Sequence, residues 1–203
     1  MSMNILYEDK ALIVCQKPAG VLSEGEMPAL LCEQLSINEC FVVHRLDREV
    51  GGVMVFAKTK KSAAALSKSV QDNTFKKEYL ATVHGEVTPK KGEMRDLLFR
   101  DAKKNKSFVV KRERKGVREA VLDYEVLEVR ENDSDMTSLV KIRLHTGRTH
   151  QIRVQFSSRK HPLIGDSRYG SKVKGDIMLW SHKVTFPHPD TGKEMEFVLD
   201  APW

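Results

Sequence analysis

The chain is expected to fold as a mixed α+β domain, a mainly antiparallel β-sheet core flanked by helices and loops. Three observations predict this. Segments with strand character outnumber those with helical spacing. The β-like segments at 94–99, 108–111, 120–129 and 138–145 follow one another without an intervening helix, as hairpin-connected strands do. In the last of them Val140, Ile142 and Leu144 alternate with Lys141, Arg143 and His145, which suits a sheet with one wet face. At 203 residues the chain can bury a proper core, and it is read as a single domain over 1–203, with no repeat, low-complexity segment or linker.

Residues 5–16 are apolar enough for two short strands or a hairpin, and Lys17-Pro18-Ala19-Gly20-Val21 ends them with a Pro- and Gly-set turn. A short helix is expected over 28–36, where Pro28 suits a first turn and Leu30, Leu31 and Leu35 share a face. Phe41-Val42-Val43 is a strand, and 53–58 is a second. Thr59 is a good N-cap for a helix to about Asn73, with Ala63, Leu66 and Val70 at helical spacing. Residues 76–85 read as a strand, 149–158 as a helix, and 178–186 and 195–199 as closing strands.

Hydrophobic content of 40% and charged content of 31% are those of an ordinary soluble globular protein. No apolar run approaches the roughly 18 residues of a membrane helix. The N-terminal stretch carries Glu8 and Asp9 where a secretory signal is basic and then apolar, so a cytoplasmic location is expected. Cys15, Cys32 and Cys40 form no C-x-x-C spacing; a disulfide framework and a metal site are both unexpected. The net charge of +6 is concentrated in segment 100–118, where Arg100, Lys103, Lys104, Lys106, Lys111, Arg112, Arg114, Lys115 and Arg118 face only Asp101 and Glu113. A focused basic patch on a near-neutral body is the footprint of a nucleic-acid binder; the alternative is a solvated basic loop. The run is expected to lie between strands, as a surface hairpin or loop.

Chemistry concentrates in three clusters. In His44-Arg45-Leu46-Asp47-Arg48 a carboxylate sits between two guanidinium groups, followed by Gly51-Gly52 and an apolar strand. Such a carboxylate serves as a nucleophile, a general base or half of a structural ion pair. In His145-Thr146-Gly147-Arg148-Thr149-His150-Gln151-Ile152-Arg153 a strand ends and a helix begins, so backbone N–H groups and two arginines can receive a phosphate or carboxylate. Residues 161–170 form a glycine-punctuated loop.

Taken in order, these motifs resemble the RluA family of RNA pseudouridine synthases along almost the whole chain. Lys17-Pro18-Ala19-Gly20 is similar to its first motif, the Asp47 segment to its catalytic motif, Lys77-Glu78-Tyr79-Leu80-Ala81 to its tyrosine-bearing strand, and Gly147–Arg153 with the loop that follows to its third motif. The resemblance implies a pseudouridine synthase catalytic fold and isomerisation of specific uridines in ribosomal or transfer RNA, with base flipping and no cofactor or metal. RNA would be the partner, and a monomer suffices. Asp47 matches the catalytic aspartate, Tyr79 the tyrosine that stacks on the base, and Arg153 the arginine that pairs with the aspartate. Arg45 matches a residue that enters the vacated stack. His44, Arg48, Arg148, His150, Gln151, Lys111, Arg112 and Arg114 complete the expected substrate-binding set.

Two departures stand out. Val50-Gly51-Gly52 replaces the family's usual Thr-Ser-Gly, read as altered turn packing. The chain is also expected to begin at the catalytic domain, without the extra N-terminal RNA-binding domain of many relatives. The competing readings are a non-catalytic RNA-binding module, and a hydrolase using Asp47 with His44, His145 or His150.

Overall fold

The computed structural model describes residues 2–132 and 135–203. They form two compact units, one made of the chain up to Glu78 together with Trp180–Trp203, the other of Tyr79–Leu179.

The first unit holds β1 (Ile5–Glu8), β2 (Leu12–Lys17), helix α1 (Glu26–Leu35), β3 (Phe41–Val42), β4 (Gly51–Ala57) and helix α2 (Lys60–Gln71). All seven positions of β4 are buried, which is why this strand reads as a continuous apolar run. β2 lies antiparallel along one edge from Leu12↔Ala57 to Lys17↔Gly52. β3 pairs antiparallel with the end of β4. The strand over Leu179–Pro187 pairs with its start in the parallel sense, through Trp180↔Gly51 and Ser181↔Gly52. The final strand, Glu194–Val198, forms a hairpin with that one. Leu12, Val14, Val53, Val55, Leu66, Phe75, Val184 and Phe186 form the core. The Thr59 hydroxyl accepts the Ser62 N–H at 3.0 Å, the N-cap that its sequence position suggested.

The second unit holds most of β5 (Lys76–His84), then β6 (Lys91–Asp101), β7 (Lys106–Val110), β8 (Val117–Asn132), β9 (Asp135–Leu144), helix α3 (Gln151–Ser158) and a 3-10 turn at Ser167–Tyr169. The two strands already described then number β10 and β11. β7, β6, β8 and β9 form an antiparallel run in that spatial order. Val154 of α3 packs with Leu98, Ala120 and Tyr169.

The mixed, mostly antiparallel sheet with flanking helices matches the expected class, and each expected element is present within a few residues. The basic run forms the expected hairpin and extends beyond it: it includes the end of β6, all of β7 and the start of β8, with Arg100 opposite Ser107 and Asp101 opposite Lys106. One detail differs. Helix α3 starts at Gln151 and not Thr149, because His150 takes a left-handed φ of 54° that a helix cannot include.

The resemblance put His44 in the substrate-binding set, and the structure places it inside the first unit. It is 6% exposed, and its ring packs on Phe75 at 5.1 Å between centroids. Its Nε2 accepts the Val55 N–H at 3.1 Å. The imidazole is therefore a neutral strut for β4. Burial, aided by the Lys77 charge, pushes its pKa down from 6.5 to about 3.

The unfolded chain thus takes up a proton on His44 below pH 6.5 that the folded one refuses until near pH 3, so stability is lost as pH falls through this window. His44 alone should contribute a slope of up to about 1.4 kcal/mol per pH unit. Urea denaturation at pH 7 and pH 5 checks this, because His44→Gln should flatten the slope. A variant that keeps the wild-type slope would refute the assignment.

Candidate active site

Asp47 lies on the connection between β3 and β4, half-buried, in a turn closed by the Val50 N–H on its own carbonyl at 3.0 Å. The first motif braces this turn. The Lys17 ammonium is fully buried and donates to the carbonyls of Val21 at 2.6 Å, Pro18 at 2.9 Å and Arg48 at 3.2 Å. The Gly20 N–H donates to the Arg48 carbonyl at 2.8 Å, and Arg48 Nε returns a bond to the Gly20 carbonyl at 2.9 Å. On the other side of Asp47, Ser23 Oγ donates to the Leu46 carbonyl at 2.8 Å and accepts its N–H at 3.0 Å. Both neighbours of Asp47 are thus clamped through their backbone. Burial pulls the Lys17 pKa down to about 8, with Asp47, Glu49 and Glu26 pulling the other way, so the ammonium stays charged at neutral pH.

The arginines beside Asp47 have separate work. Arg48 is a brace, through Gly20. Arg45 points outward and meets Glu24 at 3.1 Å, an ion pair whose side chains are 56% and 62% exposed.

In the second unit, Tyr79 sits in β5 and is 5% exposed. Arg153 comes from α3 and is 2% exposed. Its Nε and Nη2 grip both oxygens of the buried Asp166, at 2.6 and 2.9 Å. This bidentate pair fixes the guanidinium plane. The other expected substrate residues near α3 divide by exposure. Arg148 is exposed, with Nε on the Glu119 carbonyl at 2.9 Å. His150 is 8% exposed and meets the Tyr169 hydroxyl through Nδ1 at 3.0 Å. Gln151 is 3% exposed. Its Oε1 accepts the Thr146 hydroxyl at 2.7 Å and the Arg148 N–H at 3.0 Å, and its Nε2 donates to the Val121 carbonyl at 3.1 Å. The Gln151 amide thus fills the turn ahead of α3, and the His150 ring lies against Tyr169. Lys111, Arg112 and Arg114 are exposed on the β7–β8 connection, with the Arg114 guanidinium 4.6 Å from the Phe99 ring.

His145 is engaged by Asp123 at 2.6 Å, His150 by Tyr169, and His44 by the β4 backbone.

A family model described as RNA pseudouridylate synthase matches residues 11–158, a stretch that contains Asp47, Tyr79 and Arg153. The chain belongs to the RNA pseudouridylate synthase family. It is 35% identical over 215 residues to the Bacillus subtilis protein named uncharacterized RNA pseudouridine synthase YhcT, covering 99% of this chain and 68% of that protein. It is 34% identical to a Neisseria meningitidis protein named ribosomal large subunit pseudouridine synthase D, covering 100% of this chain and 59% of that protein. The human RNA pseudouridylate synthase domain containing 1 shares its fold, with a TM-score of 0.86 at 23% identity over 99% of this chain and 84% of that one. The RluA-type assignment and the isomerase class read from the motifs are borne out at the level of the family. Among the described residues no helix is long and apolar enough to cross a membrane.

Sequence reasoning gave no role to Lys17, Asp166 or Tyr169. Lys17 was quoted as part of a motif, but a lysine beside proline carries no sign that its charge is buried. The thirteen positions separating Arg153 from Asp166 are no helical interval, so their pairing left no periodic trace.

Lys17→Met should leave the Pro18, Val21 and Arg48 carbonyls without their donor. The expected cost is about 2–3 kcal/mol of unfolding free energy, measured by urea titration. Wild-type stability in this variant would show that the ammonium is not a brace.

Proposed function

We propose that this chain, with residues 1–203 acting as one catalytic domain, isomerises specific uridines in RNA to pseudouridine, with Asp47 as the essential carboxylate. The observation that carries the proposal is the family match over residues 11–158, a span that contains Asp47, Tyr79 and Arg153. Ribosomal RNA of the large subunit is the first substrate to test, because relatives 31–34% identical bear that substrate in their names. Transfer RNA is the second.

The reaction breaks the C1′–N1 bond, rotates the uracil and forms the C1′–C5 bond; the C5 proton is lost and N1 gains one. Composition does not change, so no redox partner is needed. Asp47 serves either by attacking C1′ or by removing a ribose proton once the glycosidic bond loosens. The clamped turn supports both routes, since a reacting carboxylate has to be held within a fraction of an ångström. Unstacking the target base costs a few kcal/mol. Stacking on an aromatic ring such as Tyr79 returns about 1–3 kcal/mol of it. Arg153 supplies the guanidinium that the family's aspartate chemistry uses.

Arg45 suits the gap left by the flipped base. Its exposed pair with Glu24 is worth only about 0–1 kcal/mol, so RNA can take the arginine from Glu24 at little cost. Lys111, Arg112 and Arg114 suit phosphate contacts, which position RNA without reading its sequence. The setting is a cytoplasmic monomer.

Asp47→Ala should cut pseudouridine formation by at least about 10³-fold while leaving RNA affinity nearly unchanged. Chemical mapping of pseudouridine in total RNA from a strain deleted for the gene, treated with either protein, reads this directly. Turnover by Asp47→Ala equal to wild type would end the enzyme reading. Reversing charge at Lys111, Arg112 and Arg114 should flatten the salt dependence of binding, by roughly 0.7–0.9 in log–log slope for each phosphate no longer neutralised. Filter binding between low and moderate salt measures it, and an unchanged slope would make the segment a solvated loop.

A further inference from the structure

Tyr169 stands at the centre of a group of side chains that joins Arg153 to the basic β6–β7 hairpin. The Arg153 guanidinium carbon is 5.3 Å from the Tyr169 ring centroid, and Lys106 Nζ is 5.0 Å from the same centroid. The Tyr169 hydroxyl accepts the Ser107 N–H of β7 at 2.8 Å and meets His150 Nδ1 at 3.0 Å. Ser107 Oγ donates to the Thr149 carbonyl at 2.6 Å, just before α3. Lys106 Nζ donates to the Arg168 carbonyl at 2.6 Å, and Arg168 donates to the carbonyls of Asn105 at 3.2 Å and Lys104 at 3.3 Å at the hairpin tip. Asp166 is held in a loop where the backbone of Asp176 occupies the space that a side chain at Gly165 would need.

We propose that Asp166 and Tyr169 are positioning residues: Asp166 sets the plane of the Arg153 guanidinium, and Tyr169 ties that guanidinium to the β6–β7 hairpin of the basic run, so that RNA held by that run bears on the arginine's orientation. This rests on the isomerase reading above.

The physical case begins with the Arg153–Asp166 pair. An ion pair removed from water is weak as a stability device, because desolvation offsets most of its attraction and a well-packed apolar pair does as well. It does specify geometry. Asp166 occupies the Nε–Nη2 edge of the fork, so the remaining edge of the planar group is turned away from Asp166 in one fixed direction. The Tyr169 ring then limits tilt of that plane, since a cation is attracted to the ring face.

The test uses Tyr169→Phe, which keeps the ring beside both cations and deletes only the hydroxyl, and Asp166→Asn, which keeps shape and removes charge. Each purified full-length variant is assayed for pseudouridine formation and RNA affinity, and its arginine Nε–H signals are recorded by nitrogen-15 NMR. The expected result for Tyr169→Phe is a kcat loss of about 10–100-fold with RNA affinity within twofold, together with a moved Arg153 Nε–H signal. Asp166→Asn should move or broaden that signal further. Should Asp166→Asn fail to fold, Tyr169→Phe decides alone. The proposal is overturned if Tyr169→Phe has wild-type kcat and an unmoved Arg153 signal, or if kcat is kept and only affinity falls. A wild-type protein that isomerises no RNA would refute the isomerase reading instead. The NMR signal would still report whether Tyr169 and Asp166 set the guanidinium.

Discussion

An ammonium group out of water is stable only where fixed acceptors replace its hydration, and Lys17 meets that condition with the carbonyls of Pro18, Val21 and Arg48. Those carbonyls belong to two stretches far apart in sequence, so one buried charge locks the end of β2 to the turn after Asp47. The requirement is reciprocal: the carbonyls stay in place because the charge is there, and the charge is tolerated because they are. Asp47 inherits its placement from this arrangement and from the Ser23–Leu46 bonds on its other flank.

The second unit applies the same rule with a different cation. Arg153 is held by the Asp166 carboxylate and lies against the Tyr169 ring. In both units the buried cation is satisfied by groups that cannot easily move away, whereas the cations proposed to meet RNA are exposed. Arg45, Arg148, Lys111, Arg112 and Arg114 all face solvent. The division is physical: a phosphate contact must form and break against water, so its side chain has to be solvated beforehand, while a group that defines geometry gains from being dry.

Element type was legible because it depends on local pattern. The alternation in 138–145, the Thr59 cap and the apolar run of β4 each carry their own signature, and each appears in the structure where expected. The family was legible from motif order, and with it Asp47, Tyr79 and Arg153 as candidates. Burial was not legible. His44, His150 and Gln151 entered the substrate-binding set with their motifs; in the structure they bond Val55, Tyr169 and the Thr146–Arg148 turn. A sequence records which groups can hydrogen-bond, but whether the partner is backbone or ligand depends on the chain that folds over them. The Arg153–Asp166 pair was hidden for the same reason.

Packing leaves no room for a side chain at Gly51 or Gly52. β10 runs parallel to the start of β4, with Trp180 opposite Gly51 and Ser181 opposite Gly52. A side chain at Gly51 would strike the Trp180 ring, and one at Gly52 would strike the backbone of Ser181. Gly52 also has a φ of 123°, a conformation that side chains disfavour. The indole itself is fixed by its N–H on the Leu199 carbonyl at 3.0 Å and by edge-on packing with Trp203. Ser181 Oγ further donates to the Val53 carbonyl at 2.9 Å. The strand that follows the Asp47 turn is therefore held by close backbone approach and an aromatic lid. Packing against a buried ring thus fixes the start of β4, next to the turn that Lys17 and Ser23 brace.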